Sequence, residues 1–405
     1  MNKKIGMVLV IILVGISLII SSKNGIEIYQ MTRIKVPKVV IEYKDDMSVE
    51  FNTDNVKVSD FIKSINGEIT DDYIIDTTVV GTKRIYFDYI NDENIKINKS
   101  FEIEVKDTTE PVIWLGSTYR LAKGNRFPLE SILCGDNYDK SPTCYIEGKY
   151  NIDKTGSYPL TFKATDSSGN TATQDFVLTV YEPVKSKRET SSTYEPNYID
   201  YKDIIKKYKT RTNKIGIDVS KWQGDIDFET LSKQGVEFII LRVGYTKGTN
   251  GEYILDPKFK QNMEGAKKYN IPVGLYFYSY ANSIEHSIKD ANWVLEQIKD
   301  YKIDLPIAFD WEEWLEFNEY EVSFYELTNI ANAFMETIEN KGYKSMLYSS
   351  KSYLEYIWLP TKYDIWLAHF TDKTNYKGKY KFWQLTDSAT VDGIKGSVDV
   401  DIMYD

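Results

Sequence analysis

Eight short apolar runs punctuate the chain after Lys214, at residues 215–219, 238–243, 273–278, 307–311, 345–348, 365–369, 382–385 and 398–403. Amphipathic stretches lie between them, and helical periodicity is clear at 257–269, 284–299 and 321–340. Short apolar strands alternating with such helices are the mark of β/α units. The last connections are too short for full helices. The fold class expected is therefore α/β: an irregular (β/α)8-type barrel over 214–405, with functional groups at the C-terminal ends of its strands.

Composition narrows the chemistry. Two His (His286 and His369) and two Cys (Cys134 and Cys144) are too few for a structural zinc site and poorly placed for a serine triad. Fifty basic against 60 acidic residues, without a basic run, argue against nucleic acid as a partner. No cofactor and no metal are expected. The chemistry falls to carboxylates, and these gather at the predicted strand ends: Asp218 in the first, Asp310 and Glu312 at the fourth, Asp399 and Asp401 in the last. Asp310 and Glu312 are two apart, so on an extended strand they share a face while Glu313 points away. Paired carboxylates on one face divide the work of glycoside cleavage, one protonating the leaving oxygen and the other stabilising the cationic anomeric carbon.

The order of short motifs is more specific than that pair. Ile215-Gly216-Ile217-Asp218-Val219-Ser220-Lys221-Trp222-Gln223-Gly224 comes first, then Leu241-Arg242-Val243-Gly244-Tyr245 and Gly274-Leu275-Tyr276-Phe277-Tyr278-Ser279-Tyr280-Ala281. Phe309-Asp310-Trp311-Glu312, Leu347-Tyr348-Ser349-Ser350, Ile365-Trp366-Leu367-Ala368, Trp383-Gln384 and Val398-Asp399-Val400-Asp401 follow. This series resembles glycoside hydrolase family 25, the Chalaropsis-type lysozymes, across 214–405. The resemblance implies a muramidase that cleaves the β-1,4 bond between N-acetylmuramic acid and N-acetylglucosamine in peptidoglycan. It makes Glu312 the general acid and Asp310 the partner carboxylate, stabilising the oxocarbenium ion or orienting the 2-acetamido group. It makes Asp218 and Asp399 flanking acids of the groove. Asp401 stands where the family more often has Asn, and His369 where it has a glutamine-like residue.

Aromatic and polar groups at strand ends complete the expected site. Trp222, Tyr278, Tyr348, Trp366, Gln384 and Arg242 are the candidate substrate-binding residues, the rings offering faces to sugars. Trp311, whose parity turns it from Asp310, reads as barrel filling. Arg242 pairs with a groove acid or caps the barrel floor.

Upstream, residues 36–182 read as short strands separated by Gly, Asn, Asp and Pro. Residues 81–107 align without a gap on 156–182, pairing Ile85 with Leu160, Phe87 with Phe162, Phe101 with Phe176, Ile103 with Leu178 and Val105 with Val180. The second copy, with Asp166-Ser167-Ser168-Gly169-Asn170 at its turn, resembles bacterial immunoglobulin-like surface modules. Two small all-β sandwiches, 36–107 and 108–182, are expected, then a linker at 183–213 with a short helix at 201–208. Cys134 and Cys144 are expected to form a disulfide. Asp136, Asn137 and Asp139 lie inside that loop, and an Asx-rich turn without metal is the expectation.

Lys3 and Lys4 precede an uncharged run from 5 to 22, and Lys23 follows it. Residues 1–23 are read as a transmembrane anchor leaving the rest of the chain outside the cell, or as an export signal that yields a secreted protein if cleaved. The expected whole is a membrane-anchored muramidase whose partner is the peptidoglycan glycan strand. The alternatives are a non-catalytic wall-binding or adhesion protein, and a chitinase or glucosaminidase.

Overall fold

The computed structural model describes residues 36–126, 132–183, 198–249 and 251–405, together with the backbone of the short antiparallel strands β1 (Ser21–Ser22) and β2 (Gly25–Ile26). Residues 1–20, which carry most of the expected anchor, lie outside this set, as do 184–197 in the expected linker. Among the described residues no helix is long and apolar enough to cross a membrane. The chain divides into two compact units, Met1–Lys106 and Asp107–Asp405.

The first unit carries β3 (Ile41–Tyr43), β4 (Ser48–Glu50), β5 (Ile62–Ile65), β6 (Gly67–Ile69), β7 (Gly81–Asn91) and β8 (Lys96–Lys106). One sheet runs β4-β8-β7-β6 and a second pairs β3 with β5. Alternation drives the long β7–β8 hairpin: Ile85, Phe87, Phe101, Ile103 and Val105 are buried while their neighbours face water. Its turn is closed by Asn91, whose Oδ1 accepts from the Glu93 and Ile95 amides.

The second unit begins with β9 (Val112–Trp114), β10 (Thr118–Ala122), β11 (Leu133–Gly135), β12 (Thr143–Glu147), β13 (Gly156–Thr165) and β14 (Thr171–Tyr181). Its sheets, β10-β14-β13-β12 and β11-β9, repeat the first module strand for strand, down to a second strand that runs parallel against the last (β4 with β8, β10 with β14). Leu160, Phe162, Phe176, Leu178 and Val180 fill this core. A disulfide joins Cys134 on β11 to Cys144 on β12 and so ties the two sheets together.

The rest of the unit comprises β15 (Ile199–Asp200), α1 (Tyr201–Tyr208), β16 (Asn213–Val219), α2 (Phe228–Gln234), β17 (Ile239–Thr246), β18 (Tyr253–Leu255), α3 (Phe259–Lys268), β19 (Val273–Tyr278), α4 (Ile284–Ile298), β20 (Ile307–Asp310), α5 (Phe324–Glu339), β21 (Ser345–Ser350), α6 (Lys351–Tyr356), β22 (Asp364–Ala368), β23 (Phe382–Thr390) and β24 (Val398–Tyr404). Strands β16, β17, β19, β20, β21, β22 and β23 are parallel neighbours, and β24 runs antiparallel between β23 and β16 to close the barrel. Parity sorts the side chains. Phe238, Ile240, Ala308, Met346, Trp366 and Phe382 pack as one cluster inside the barrel, while Ile239, Leu241, Ile307, Phe309 and Leu347 join the larger core under the helices. Gly216 is required where β16 meets β17, because a Cβ there would stand 2.4 Å from the Phe238 carbonyl oxygen.

Two departures from the sequence reading stand out. The expected linker ends too late: β15 pairs with β23, and α1 buries Tyr201 and Ile204 in the barrel core, with the Tyr201 hydroxyl donating to the Ile215 carbonyl at 3.0 Å. The second β module also docks on the barrel. The Phe324 amide donates to the Asp136 carbonyl at 2.8 Å, the Cys134 amide to Asn318 Oδ1 at 3.2 Å, and Trp114 packs on Tyr353.

Candidate active site

The barrel mouth collects acids because of the way it closes. Asp218 and Asp310 sit at or near the C-terminal ends of the parallel strands β16 and β20. Because β24 is antiparallel, its start lies at that same end, and Asp399 pairs in register with Asp218. Asp401, two residues on, shares the inward face one layer deeper, between Gly216 and Gln384.

Asp310 is buried, and its Oδ1 has no hydrogen-bond partner. Burial, then the neighbouring Glu312 and Asp218, push its carboxyl well above the usual carboxylate range, against the pull of Arg242. Glu312 follows the strand and opens to solvent; the protein packed around its carboxyl, then the Glu313 charge, raise it above its ordinary value. The pair therefore matches one accessible acid with one enclosed acid. Glu313 does not point away as strand parity implies. The strand ends at Asp310, extended geometry lapses beyond it, and Glu313 Oε1 accepts from the Tyr278 hydroxyl at 2.8 Å.

Below the pair lies a buried relay. The Tyr348 hydroxyl donates to Gln384 Oε1 at 2.9 Å, and Gln384 Nε2 donates to Asp218 Oδ2 at 2.9 Å. Trp366 Nε1 donates to Asp401 Oδ1 at 2.8 Å, and the Tyr348 ring meets Trp366 edge-on at 4.6 Å. Burial lifts both Asp218 and Asp401 well above the carboxylate range, and Asp218 rises further because Asp401 is its neighbour. Asp399 is pushed up to about 9 by burial and then by Asp218. Asp401 thus sets its carboxyl against Asp218 rather than in solvent.

This relay corrects part of the expected sugar-binding set. Trp366 and Gln384 are 2% and 4% exposed and offer no face to a ligand; they hold Asp401 and Asp218 instead. Tyr278 and Tyr348 stay half-buried at the mouth, and Trp222, 75% exposed, stands at its rim with Lys221 Nζ 4.7 Å from its ring centre. Arg242 pairs with an acid that the sequence reading missed, Asp256, through Nε at 2.8 Å. Asp256 Oδ2 also accepts from the Lys221 amide, so Arg242 steadies the turn that carries Trp222. Trp311 is fully buried against Trp314 and Tyr320, its Nε1 donating to the Ala281 carbonyl. His369 bonds Thr374, and burial lowers its pKa. Tyr276 was also missed. It shares the Tyr278 face on β19 and lies among Asp218, Arg242, Asp310 and Asp399, and its period-two spacing from Tyr278 was the available signal.

Residues 217–394, which carry Asp218, Asp310 and Glu312 and end before β24, match the model of Glycosyl hydrolases family 25. The chain carries a family 25 glycosyl hydrolase domain. Among curated relatives it is 28% identical over 239 residues to the uncharacterized protein YegX of Escherichia coli O6:H1, covering 53% of this chain and 83% of that one. It is 29% identical over 189 residues to the autolytic lysozyme of Clostridium acetobutylicum, covering 46% of this chain and 54% of that protein's length. Among solved structures it resembles the autolysin LytC of Streptococcus pneumoniae in complex with a synthetic peptidoglycan ligand (25% identity, TM-score 0.44, 60% of this chain and 56% of that one). It also resembles a family 25 glycosyl hydrolase from Bacillus anthracis (23% identity, TM-score 0.41, 49% and 92%). The family match makes residues 217–394 a glycoside hydrolase domain.

Proposed function

We propose that the family 25 domain is a peptidoglycan muramidase in which Glu312 is the general acid and Asp310 the stabilising or acetamido-orienting carboxylate. The observation that carries this reading is the placement of a solvent-facing Glu312, its carboxyl raised, two residues after a buried Asp310. Burial raises both carboxyls, and Glu312 raises Asp310 further, which favours a protonated acid in the pair. Glu312 reaches solvent, so it meets the glycosidic oxygen and gives up that proton as the C1–O bond breaks. Asp310, beneath it, faces the anomeric carbon with its charge or orients the 2-acetamido oxygen toward it. Water then adds to C1, its proton returning to Glu312, and the product carries a muramic acid reducing end. Asp218 and Asp399 flank the pair with carboxyls that burial keeps protonated, and Trp222, Tyr278 and Tyr348 line the approach for the glycan.

The upstream parts suit the same task. Two β modules of shared topology fit immunoglobulin-like spacers, and the apolar run at 5–22 behind Lys3 and Lys4 fits an anchor that keeps the enzyme at the outer face of the membrane. The test is digestion of purified peptidoglycan by the full chain and by Glu312→Gln, with the new reducing ends identified. Muramic acid ends from wild type, and a rate about 100- to 10,000-fold lower in E312Q at unchanged Tm, are expected. Glucosamine ends would assign a glucosaminidase, and no release from any wall type would leave a binding module.

A further inference from the structure

Away from the barrel mouth, the second β module gathers three acids that the sequence does not place together. Asp107 opens the unit, Asp136 sits in the disulfide loop just after β11, and Asp166 begins the β13–β14 turn. All three are buried, at 5%, 1% and 6% exposure, and one carboxylate oxygen from each lies within 4.8 Å of the other two. Their outer hydrogen bonds are already made. Asp136 Oδ1 accepts from the Tyr138 and Asp139 amides, both Asp166 oxygens accept from Asn170, and Asp107 Oδ1 accepts from the Thr109 amide. Asp107 Oδ2, Asp136 Oδ2 and the amide oxygen of Asn137 have no partner at hydrogen-bond geometry, while the Ser168 and Asn137 side chains draw the Asp107 carboxyl down against the larger effect of its burial.

Buried carboxylates packed together with free oxygens are destabilising unless a cation compensates them. The charges that bear most on Asp136 are Asp107 and Asp166, both negative, and with burial they push its carboxyl up to about 6. The donors are all hard oxygens, with no His or Cys among them. Oxygens that each stand 2.3–2.6 Å from a calcium ion lie no more than about 5 Å apart, which is the span seen here.

We propose that Asp107, Asp136 and Asp166, with the Asn137 amide oxygen, form a binding site for one calcium ion. Asp139, the third acidic or amide residue of the loop motif, lies outside this cluster, its oxygens accepting from the Ser141 and Ser167 amides. The site has a structural consequence. The same loop presents the Asp136 and Asn137 carbonyls to the Phe324 and Tyr325 amides at the start of α5, and Lys140 pairs with Glu326. The ion therefore braces the loop through which the β module docks on the barrel.

The experiment is calcium titration calorimetry of the full chain after chelator treatment, with thermal unfolding in parallel. Wild type is expected to bind one calcium per chain and to rise in Tm with calcium. Asp107→Asn and Asp136→Asn, which keep the acceptor oxygen that closes each turn, are expected to bind at least 10-fold more weakly. Asp175→Asn, on the exposed face of the same module, is expected to bind as wild type. Metal-free D136N is expected to melt no lower than metal-free wild type, since a like charge has been removed; this separates lost binding from lost folding. Folded wild type that neither binds calcium nor shifts in Tm at millimolar calcium overturns the site. So does D136N binding with unchanged affinity, and magnesium binding as tightly as calcium overturns the choice of ion.

Discussion

At the residue scale, Asp401 separates this barrel from the pattern its motifs suggest. An Asn there would satisfy the Trp366 N–H without adding charge, whereas the Asp sets a second carboxyl against Asp218 at 0% exposure. Asp218, Asp399 and Asp401 all take up protons more readily in the folded chain than in the unfolded one. Their contribution to stability is therefore complete below the unfolded carboxylate pKa and is lost as pH rises, through about 9 for Asp399. The expected result is a Tm that falls as pH is raised from about 4 to about 9. Asp401→Asn removes one such group and lowers the Asp218 pKa, so its Tm should fall less steeply over the same range. A wild-type profile no steeper than that of D401N would show that Asp401 carries no excess proton. Asp218, Asp310 and Asp399 could be placed from the sequence because their position depends only on lying in a strand at the mouth. Trp366 and Gln384 were misjudged because aromaticity and polarity do not tell a ring that faces a sugar from one that holds an acid.

At the scale of elements, α5 links the site strand β20 to the docked β module. Its start is a capping box: Ser323 Oγ accepts from the Glu326 amide and Glu326 Oε2 accepts from the Ser323 amide. Ser323→Ala should cost about 1 kcal/mol, read as a lower denaturant midpoint at unchanged slope. The disulfide between β11 and β12 closes a loop with a sequence separation of 10. Replacing both cysteines with serine should cost about 3 kcal/mol, and a reducing agent should lower wild-type stability to match while leaving the double variant unaffected. The eight barrel strands were readable as short apolar runs because most are buried on both faces, and the three long helices because each buries one periodic face. Strand β18 and the docking of the β module were not, since a three-residue strand has too few residues to show a period and docking is a property of two surfaces at once.

At the scale of the whole molecule, the barrel begins earlier than its strand pattern suggests. Chains that start at Tyr198 and at Lys214 differ by β15 and α1, and α1 supplies Tyr201 and Ile204 to the barrel core. The chain starting at Tyr198 should therefore melt at a higher temperature than the one starting at Lys214, whose truncated core exposes that apolar surface to water. Equal melting temperatures for the two would return residues 198–213 to the linker.

The amino-acid sequence alone determined what depends on local periodicity and order: the strands, the long helices, the repeat, and the identity of the acids at the strand ends. Period-two and 3.6-residue patterns are written into neighbouring positions, so no distant contact is needed to read them. Only the tertiary structure decided which acids meet. Barrel closure by an antiparallel β24 brings Asp399 beside Asp218, and the folding of one β module brings Asp107 and Asp166 to Asp136. Distances between charges, and hence their protonation and the ions they bind, follow from which residues the fold makes neighbours, and the linear sequence does not contain that information.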